Sequence, residues 1–190
     1  MAITLRNIQT KVKRIMKKPT LATVAIVLLT LLAEWYEHYL HPTAWESSDV
    51  RVIDGDTIVL ANKRIRLQGI DAPELKQQCQ TNITKVSCGQ QARAELETIV
   101  SDNKVSCTDE GQDKYHRQLS YCYVNGNSIN RVMVKTGYAR SYRHYDLLFI
   151  FDELYALTHK NGLWADGFEE PWAWRCKSSI QGCRPEGLHI

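Results

Sequence analysis

Hydrophobic and polar positions follow a strand-like rhythm from residue 50 onward and a helical one further along. Residues 50–53 and 57–60 read as short strands on either side of an Asp54-Gly55 hairpin turn. Asn62-Lys63 turns the second strand into a third over residues 64–70. Ala72-Pro73 ends it, because a residue before proline is held extended and proline has no amide donor. Residues 75–88 are polar and read as an excursion pinned at Cys79 and Cys88. Ser87-x-x-Gln90 has the form of a capping box and predicts a helix to Val100, with Ala92, Leu96, Ile99 and Val100 as its apolar stripe. Residues 104–108 and 118–124 read as two more strands. Residues 128–136 predict a helix with Ile129, Val132 and Met133 inward and Gly137 as its stop. Residues 147–160 predict another, ended by Asn161-Gly162, and the tail beyond 168 reads as irregular.

Three strands in a meander, a helix, two strands, then helices predict a mainly β, α+β domain. The order suits a five-stranded barrel of the OB type with about three helices. A different small α+β sheet would give the same string of elements. The expected organisation is a basic cytoplasmic segment (1–19), a membrane segment (20–40), a linker (41–49), the folded domain (50–168) and a cysteine-containing tail (169–190).

The membrane segment is expected from the apolar run at 20–33, extended to residue 40 by the aromatic positions Trp35, Tyr36 and Tyr39. A cleaved signal peptide with its small residue at Ala33 is the alternative. Either reading keeps the basic N-terminus inside and places the body outside, periplasmic or extracellular, and secreted if the segment is cleaved.

Charge sharpens this division. Residues 1–19 hold six of the 24 basic residues and no acid. The remaining 18 basic residues face all 21 acids, so the body carries about three net negative charges. That argues against a broad basic nucleic-acid surface, which needs clustered positive charge. A nucleic-acid substrate would have to be held by local arginines and a cation.

Six cysteines, Cys79, Cys88, Cys107, Cys122, Cys176 and Cys183, contain no C-x-x-C pair. Disulfides suit an outside location, with 79–88, 107–122 and 176–183 the expected pairs among about 15 possible pairings. Zinc ligation and a reduced cytosolic set remain alternatives.

The chemistry concentrates in Asp54-Gly55-Asp56-Thr57 and Arg66-Leu67-Gln68-Gly69-Ile70-Asp71-Ala72-Pro73-Glu74, with Asp113-Lys114-Tyr115-His116-Arg117 downstream. Asp56 and Asp71 sit at strand ends where their carboxylates can converge on a hard cation, and the Ala72 carbonyl can join them. Glu74, across a rigid Ala-Pro step, is placed to accept a proton from water. Arg66 and Arg117 are permanently charged forks suited to phosphate oxygens. Taken singly, Asp56 has an ordinary turn role, Glu74 an ordinary surface role and each arginine an ordinary ion-pair role.

Together, in this order and spacing, these residues resemble the staphylococcal nuclease (thermonuclease) family. The match rests on Ile53-Asp54-Gly55-Asp56-Thr57, Arg66-x-x-x-x-Asp71-x-Pro73-Glu74 and Asp113-Lys114-Tyr115-x-Arg117, and runs from residue 50 to 165, including Gly137 and Gly162-Leu163-Trp164. The resemblance implies an OB-fold barrel and Ca²⁺-dependent, sequence-nonspecific cleavage of DNA and RNA at one metal site. It implies metal ligation by Asp56, Asp71 and the Ala72 carbonyl, a general base at Glu74 and transition-state stabilisation by Arg66 and Arg117. It also implies phosphate contacts from Lys114 and Tyr115. No obligate protein partner is implied. Tyr142 or Tyr145 is a candidate stacking platform, with core packing as the alternative. His116 replaces a usually small residue and reads as an exposed turn position. The cysteines, the 75–88 excursion and the Trp172 and Trp174 tail depart from the family pattern. A non-catalytic, nuclease-like binding module is the competing class, although such modules typically lose the acids and arginines kept here; a membrane-associated structural protein of the cell surface is a third.

Overall fold

The computed structural model describes residues 21–40, 43–81, 84–143, 146–165 and 169–178. Contacts divide the chain into two units, Met1–His41 and Pro42–Ile190.

The first unit contains helix α1, Leu21–Leu40. The expected membrane segment is corrected here. Among the described residues no helix is long and apolar enough to cross a membrane. The apolar run stops at Ala33, and Glu34 and Glu37 enter the next turn. The basic part of the alternative leader, 1–19, lies outside the described residues.

The second unit carries the strands. β1 (Thr43–Ser47) occupies most of the expected linker and pairs antiparallel with β8 (Val105–Thr108). β2 (Val50–Asp54), β3 (Thr57–Leu60) and β4 (Lys63–Leu67) form the expected meander. The third strand ends earlier than its pattern suggests. Gly69 takes φ 75°, a conformation open to glycine, and the chain turns. Ile70–Asp71 then forms β5 and pairs with β12 (Arg140–Ser141) instead. The 75–88 excursion contains a two-stranded ladder, β6 (Cys79–Gln80) with β7 (Lys85–Val86).

The last long strand is also divided, into β9 (Gln118–Ser120) and β10 (Cys122–Val124). β9 lies parallel to β4, whereas β10 joins β8 and the short β11 (Asn127–Ser128). The expected five-stranded barrel of the OB type is therefore corrected, since no closed barrel forms among the described residues. Among the described residues the main strands make two four-stranded sheets, ordered β1-β8-β10-β11 and β2-β3-β4-β9. The ladders break at Ser48-Asp49 and at Tyr121, where the chain passes from one sheet to the other.

Helix α2, Cys88–Val100, buries Cys88, Gly89, Ala92, Leu96 and Val100. The expected capping box does not form: Ser87 makes no side-chain cap bond, and its hydroxyl accepts from Gln78 Nε2 at 2.9 Å. Helix α3, Ile129–Lys135, is capped by Ser128, whose oxygen accepts from Arg131 N at 3.2 Å. It turns Val134, rather than Val132, fully inward. Helix α4, Ile150–His159, starts after its predicted first turn, because Asp146 Oδ1 takes the Leu148 amide into a local turn. A 3₁₀ turn follows at Gly162–Ala165. Part of the expected irregular tail is helix α5, Pro171–Ser178, with proline at its first position. Ile58, Leu60, Ile65 and Leu67 meet Ala92, Leu96, Ile129, Met133 and Phe149 in one core, each worth roughly 1.5–3 kcal/mol for the larger side chains.

Among the described residues two disulfide pairs staple this unit. Cys79–Cys88 closes the 75–88 excursion, and Cys107–Cys122 joins directly opposed residues of β8 and β10. Cys183 lies outside the described residues, and the expected 176–183 pairing with it.

Candidate active site

Strand register brings the first two predicted groups together. Thr57 pairs with Arg66, and Leu67 N donates to Asp56 O at 2.8 Å, so Asp56 sits beside the end of β4. Asp54 does turn work: its Oδ1 accepts from Asp56 N at 3.2 Å. Arg66 reaches across the Gln68-Gly69 turn, so that its guanidinium donates to Asp71 Oδ1 at 3.0 Å and to the Ile70 carbonyl at 3.3 Å. The same guanidinium makes a close ion pair with Asp56 Oδ1. Asp56 Oδ2 accepts from Ala72 N at 2.8 Å. Asp56 and Asp71 are buried, at 4% and 3% exposure. Two carboxylates from separate strand ends thus converge on one positive centre.

Burial lowers the pKa of Arg66 from its ordinary value. The charges of Asp71 and Asp54 oppose that shift, while the charge of Arg117 reinforces it. Arg117 is therefore electrostatically coupled to the cluster. Parallel pairing of β4 with β9 explains the proximity, since Arg117 immediately precedes β9. Its own ion partner is Asp113, at 2.7 Å from both Nε and Nη2. Asp113 Oδ1 also accepts from the amides of Tyr115 and Arg117, at 2.8 and 3.0 Å. Burial alone would raise the Asp113 pKa, but these hydrogen bonds and the arginine charge hold it below the usual value. Tyr115 is exposed, with Lys114 and Arg117 over its ring at 5.3 and 5.6 Å. His116, at φ 61°, is an exposed turn residue, as its position suggests.

Glu74 stands on the loop after β5, half-buried. Its amide donates to Gln77 Oε1 at 3.1 Å, and its carbonyl accepts from Gln77 N at 2.7 Å. Helix α2 presses on this loop at Gly89. A β-carbon there would lie 1.8 Å from Glu74 O, a close approach that only glycine allows. Tyr142 donates its amide to Gly69 O at 2.9 Å, and Tyr145 lies outside the described residues.

One charged residue at this site was missed by sequence reasoning. Arg175, on α5, donates to both oxygens of Asp71, at 3.0 and 2.9 Å, and to Glu74 Oε1 at 2.9 Å. Burial opposes its charge, but the hydrogen bonds and charge of Asp71, then of Glu74, raise its pKa above the ordinary value. Nothing local in the tail marks this contact, which spans 104 positions. The one available signal was Pro171, which favours a helix start.

In chemical terms the site offers hard oxygen donors, an exposed-side carboxylate for proton transfer and fixed guanidinium groups. Among the described residues no three His, Cys, Asp or Glu side chains gather as a metal-holding group. Two converging carboxylates nevertheless match the donor chemistry of a hard divalent ion, which takes carboxylate oxygens.

Comparison with known proteins gives the class of this chain, a homologue of nucleases. The family model "Staphylococcal nuclease homologue" matches residues 64–166. The chain belongs to the staphylococcal nuclease family. It is 32% identical to a micrococcal nuclease of Shigella flexneri over 169 residues, covering 80% of this chain and 88% of that protein. An uncharacterized endonuclease of Haemophilus influenzae is 33% identical over 143 residues, 69% of this chain and 73% of that one. Protein ParB of Escherichia coli is 35% identical over 156 residues, 73% and 82% of the two chains. The matched family segment contains Arg66, Asp71, Glu74 and Arg117; Asp56 precedes it and Arg175 follows it.

Proposed function

We propose that this chain is a Ca²⁺-dependent endonuclease that hydrolyses phosphodiester bonds of DNA and RNA with little sequence preference. The observation that carries the reading is the convergence of Asp56 and Asp71 on one guanidinium beside the Glu74 loop. Asp56, Asp71 and the Ala72 carbonyl would hold one Ca²⁺. When bound, the ion supplies positive charge at the phosphoryl oxygens and a template for water.

The chain's own groups do the rest. Glu74 accepts the proton of the attacking water. Arg66 and Arg117 face the charge that builds on the phosphorus oxygens, and a single preorganised donor of this kind is worth about 3 kcal/mol. The Asp113 clamp holds Arg117 in a fixed orientation. Lys114 and the exposed Tyr115 would contact a phosphate of the bound strand. Water attacks phosphorus and gives a proton to Glu74; the 5′ P–O bond breaks, the leaving 5′-oxygen takes up a proton from solvent to become a hydroxyl, and the other product keeps a 3′-phosphate. With a net negative body, binding depends on these local contacts more than on a general field. The two disulfides support action in an oxidising compartment outside the cytoplasm.

The test is digestion of plasmid DNA and of RNA with Ca²⁺, with and without chelator. Glu74→Gln and Arg117→Ala should each lower turnover by about 10²–10³-fold with the melting temperature little changed. Nucleic-acid binding without cleavage would favour the binding-module class. Undiminished turnover in both variants would remove this mechanism.

A further inference from the structure

The tail helix delivers a positive charge to the two carboxylates the proposed chemistry needs most. Arg175 takes both oxygens of Asp71 and one of Glu74. Asp71 Oδ1 is shared with Arg66, and Oδ2 is held by Arg175. A hard divalent ion binds carboxylate oxygen at about 2.3–2.6 Å. A guanidinium nitrogen within 3.0 Å of the same oxygens blocks that approach and repels the ion.

The two arginines are not equivalent. Arg66 is anchored on a central strand, with 16% of its side chain exposed and a further bond to Ile70 O. Arg175 stands on an eight-residue helix with 40% of its side chain exposed. It is the one that can leave without disrupting the sheet.

The tail is nonetheless docked where it must be to act. The fully buried Gln77 donates to Glu169 O at 2.8 Å while its Oε1 takes the Glu74 amide. Arg140, paired with Asp71 across the β5–β12 ladder, makes a close ion pair with Glu170. Lys177 pairs closely with Glu169. These contacts hold the start of α5 against the Glu74 loop and aim Arg175 at the carboxylates.

We propose that Arg175 is a built-in competitor for the divalent ion: its guanidinium and the ion occupy Asp71 in turn, and the docked guanidinium also ties up Glu74, so that the tail represses the enzyme until the ion displaces it. This inference rests on the proposed ion site. The test is calorimetric titration of Ca²⁺ into the full chain and into Arg175→Ala and Arg175→Gln, together with hydrogen exchange of residues 171–178 in the wild type. Both variants should bind Ca²⁺ at least tenfold more tightly, and Ca²⁺ should speed exchange in the tail helix of the wild type. Affinity that is equal or weaker in both folded variants, or tail protection that Ca²⁺ leaves unchanged, overturns the competition. Binding in neither wild type nor variants would instead overturn the ion site itself, a separate and recognisable outcome.

Discussion

Replacing Gly89 by alanine tests whether the Glu74 loop is shaped by the helix beneath it. Local propensity argues that the change should help, since alanine in a helix is favoured over glycine by about 1 kcal/mol. The packing argues the opposite. The new β-carbon would stand 1.8 Å from Glu74 O, 2.7 Å from Glu74 C and 2.9 Å from Leu75 C, all backbone atoms. An ordinary contact is 3.4–4 Å, so helix and loop must part by at least about 1.6 Å. Forcing an extra carbon into a packed site typically costs about 1–3 kcal/mol. A displacement of about 1 Å at a reacting group costs about 10²-fold in rate. Gly89→Ala should therefore lower kcat on plasmid DNA about a hundredfold and lower Tm by a few degrees. The control is Gln90→Ala, at the adjacent, exposed helical position, which should leave both nearly unchanged. A Gly89→Ala protein with raised Tm and turnover within threefold of wild type would refute the argument that α2 positions Glu74.

Removing both Cys107 and Cys122 as alanines opens a cross-strand staple with a sequence separation of 15. The chain-entropy estimate for a loop of that size is about 3 kcal/mol, so the urea midpoint should fall clearly, and an unchanged midpoint would contradict a staple there. Asp113→Asn should show a pH signature. The native pKa of Asp113 lies below its ordinary value, so its contribution is complete above the unfolded pKa and lost as pH falls through the native one. The Tm gap between wild type and Asp113→Asn should be widest near neutral pH and close below about pH 4; a gap constant down to pH 2 would rule this out.

Much of the site was legible because its residues are close in sequence and sit on elements with clear patterns. Asp56, Arg66 and Asp71 lie within 16 positions, on a meander whose turns are marked by Asp54-Gly55, Asn62-Lys63 and Pro73. A hairpin register then does the rest, because Thr57 opposite Arg66 leaves little freedom for Asp56. The long strands were less legible. Alternation continues through Tyr121, and nothing in it says that the ladder changes partner there. β1 was hidden by its composition: Thr43-Ala44-Trp45-Glu46-Ser47 carries a weak apolar signal and is ordered by pairing with β8, a partner some sixty positions away. Ser87 illustrates tertiary override at the level of one hydroxyl, since Gln78 takes the oxygen that the helix end would use. Arg175 was beyond reach for the same reason on a larger scale. Its partners are set by how the tail docks, and no short-range rule encodes that.

The site divides into parts held in different ways, and that division explains where it is vulnerable. Asp56, Arg66 and Asp71 belong to strands or strand ends, and backbone ladders fix them: Arg66 between β3 and β9, Asp71 opposite Arg140. The groups proposed to move a proton and to meet developing charge, Glu74 and Arg117, stand on loops. Each is steadied by side-chain partners rather than by a ladder. Glu74 depends on Gln77 from one side and on the missing β-carbon of Gly89 from the other. Arg117 depends on the Asp113 carboxylate, which binds its guanidinium with one oxygen and its amide with the other. Gln77 and Asp113 thus carry the geometry of the reacting groups without being reacting groups themselves. Gln77 also holds Glu169 at the start of the tail segment, so the placement of Glu74 and the docking of Arg175 share a single amide side chain.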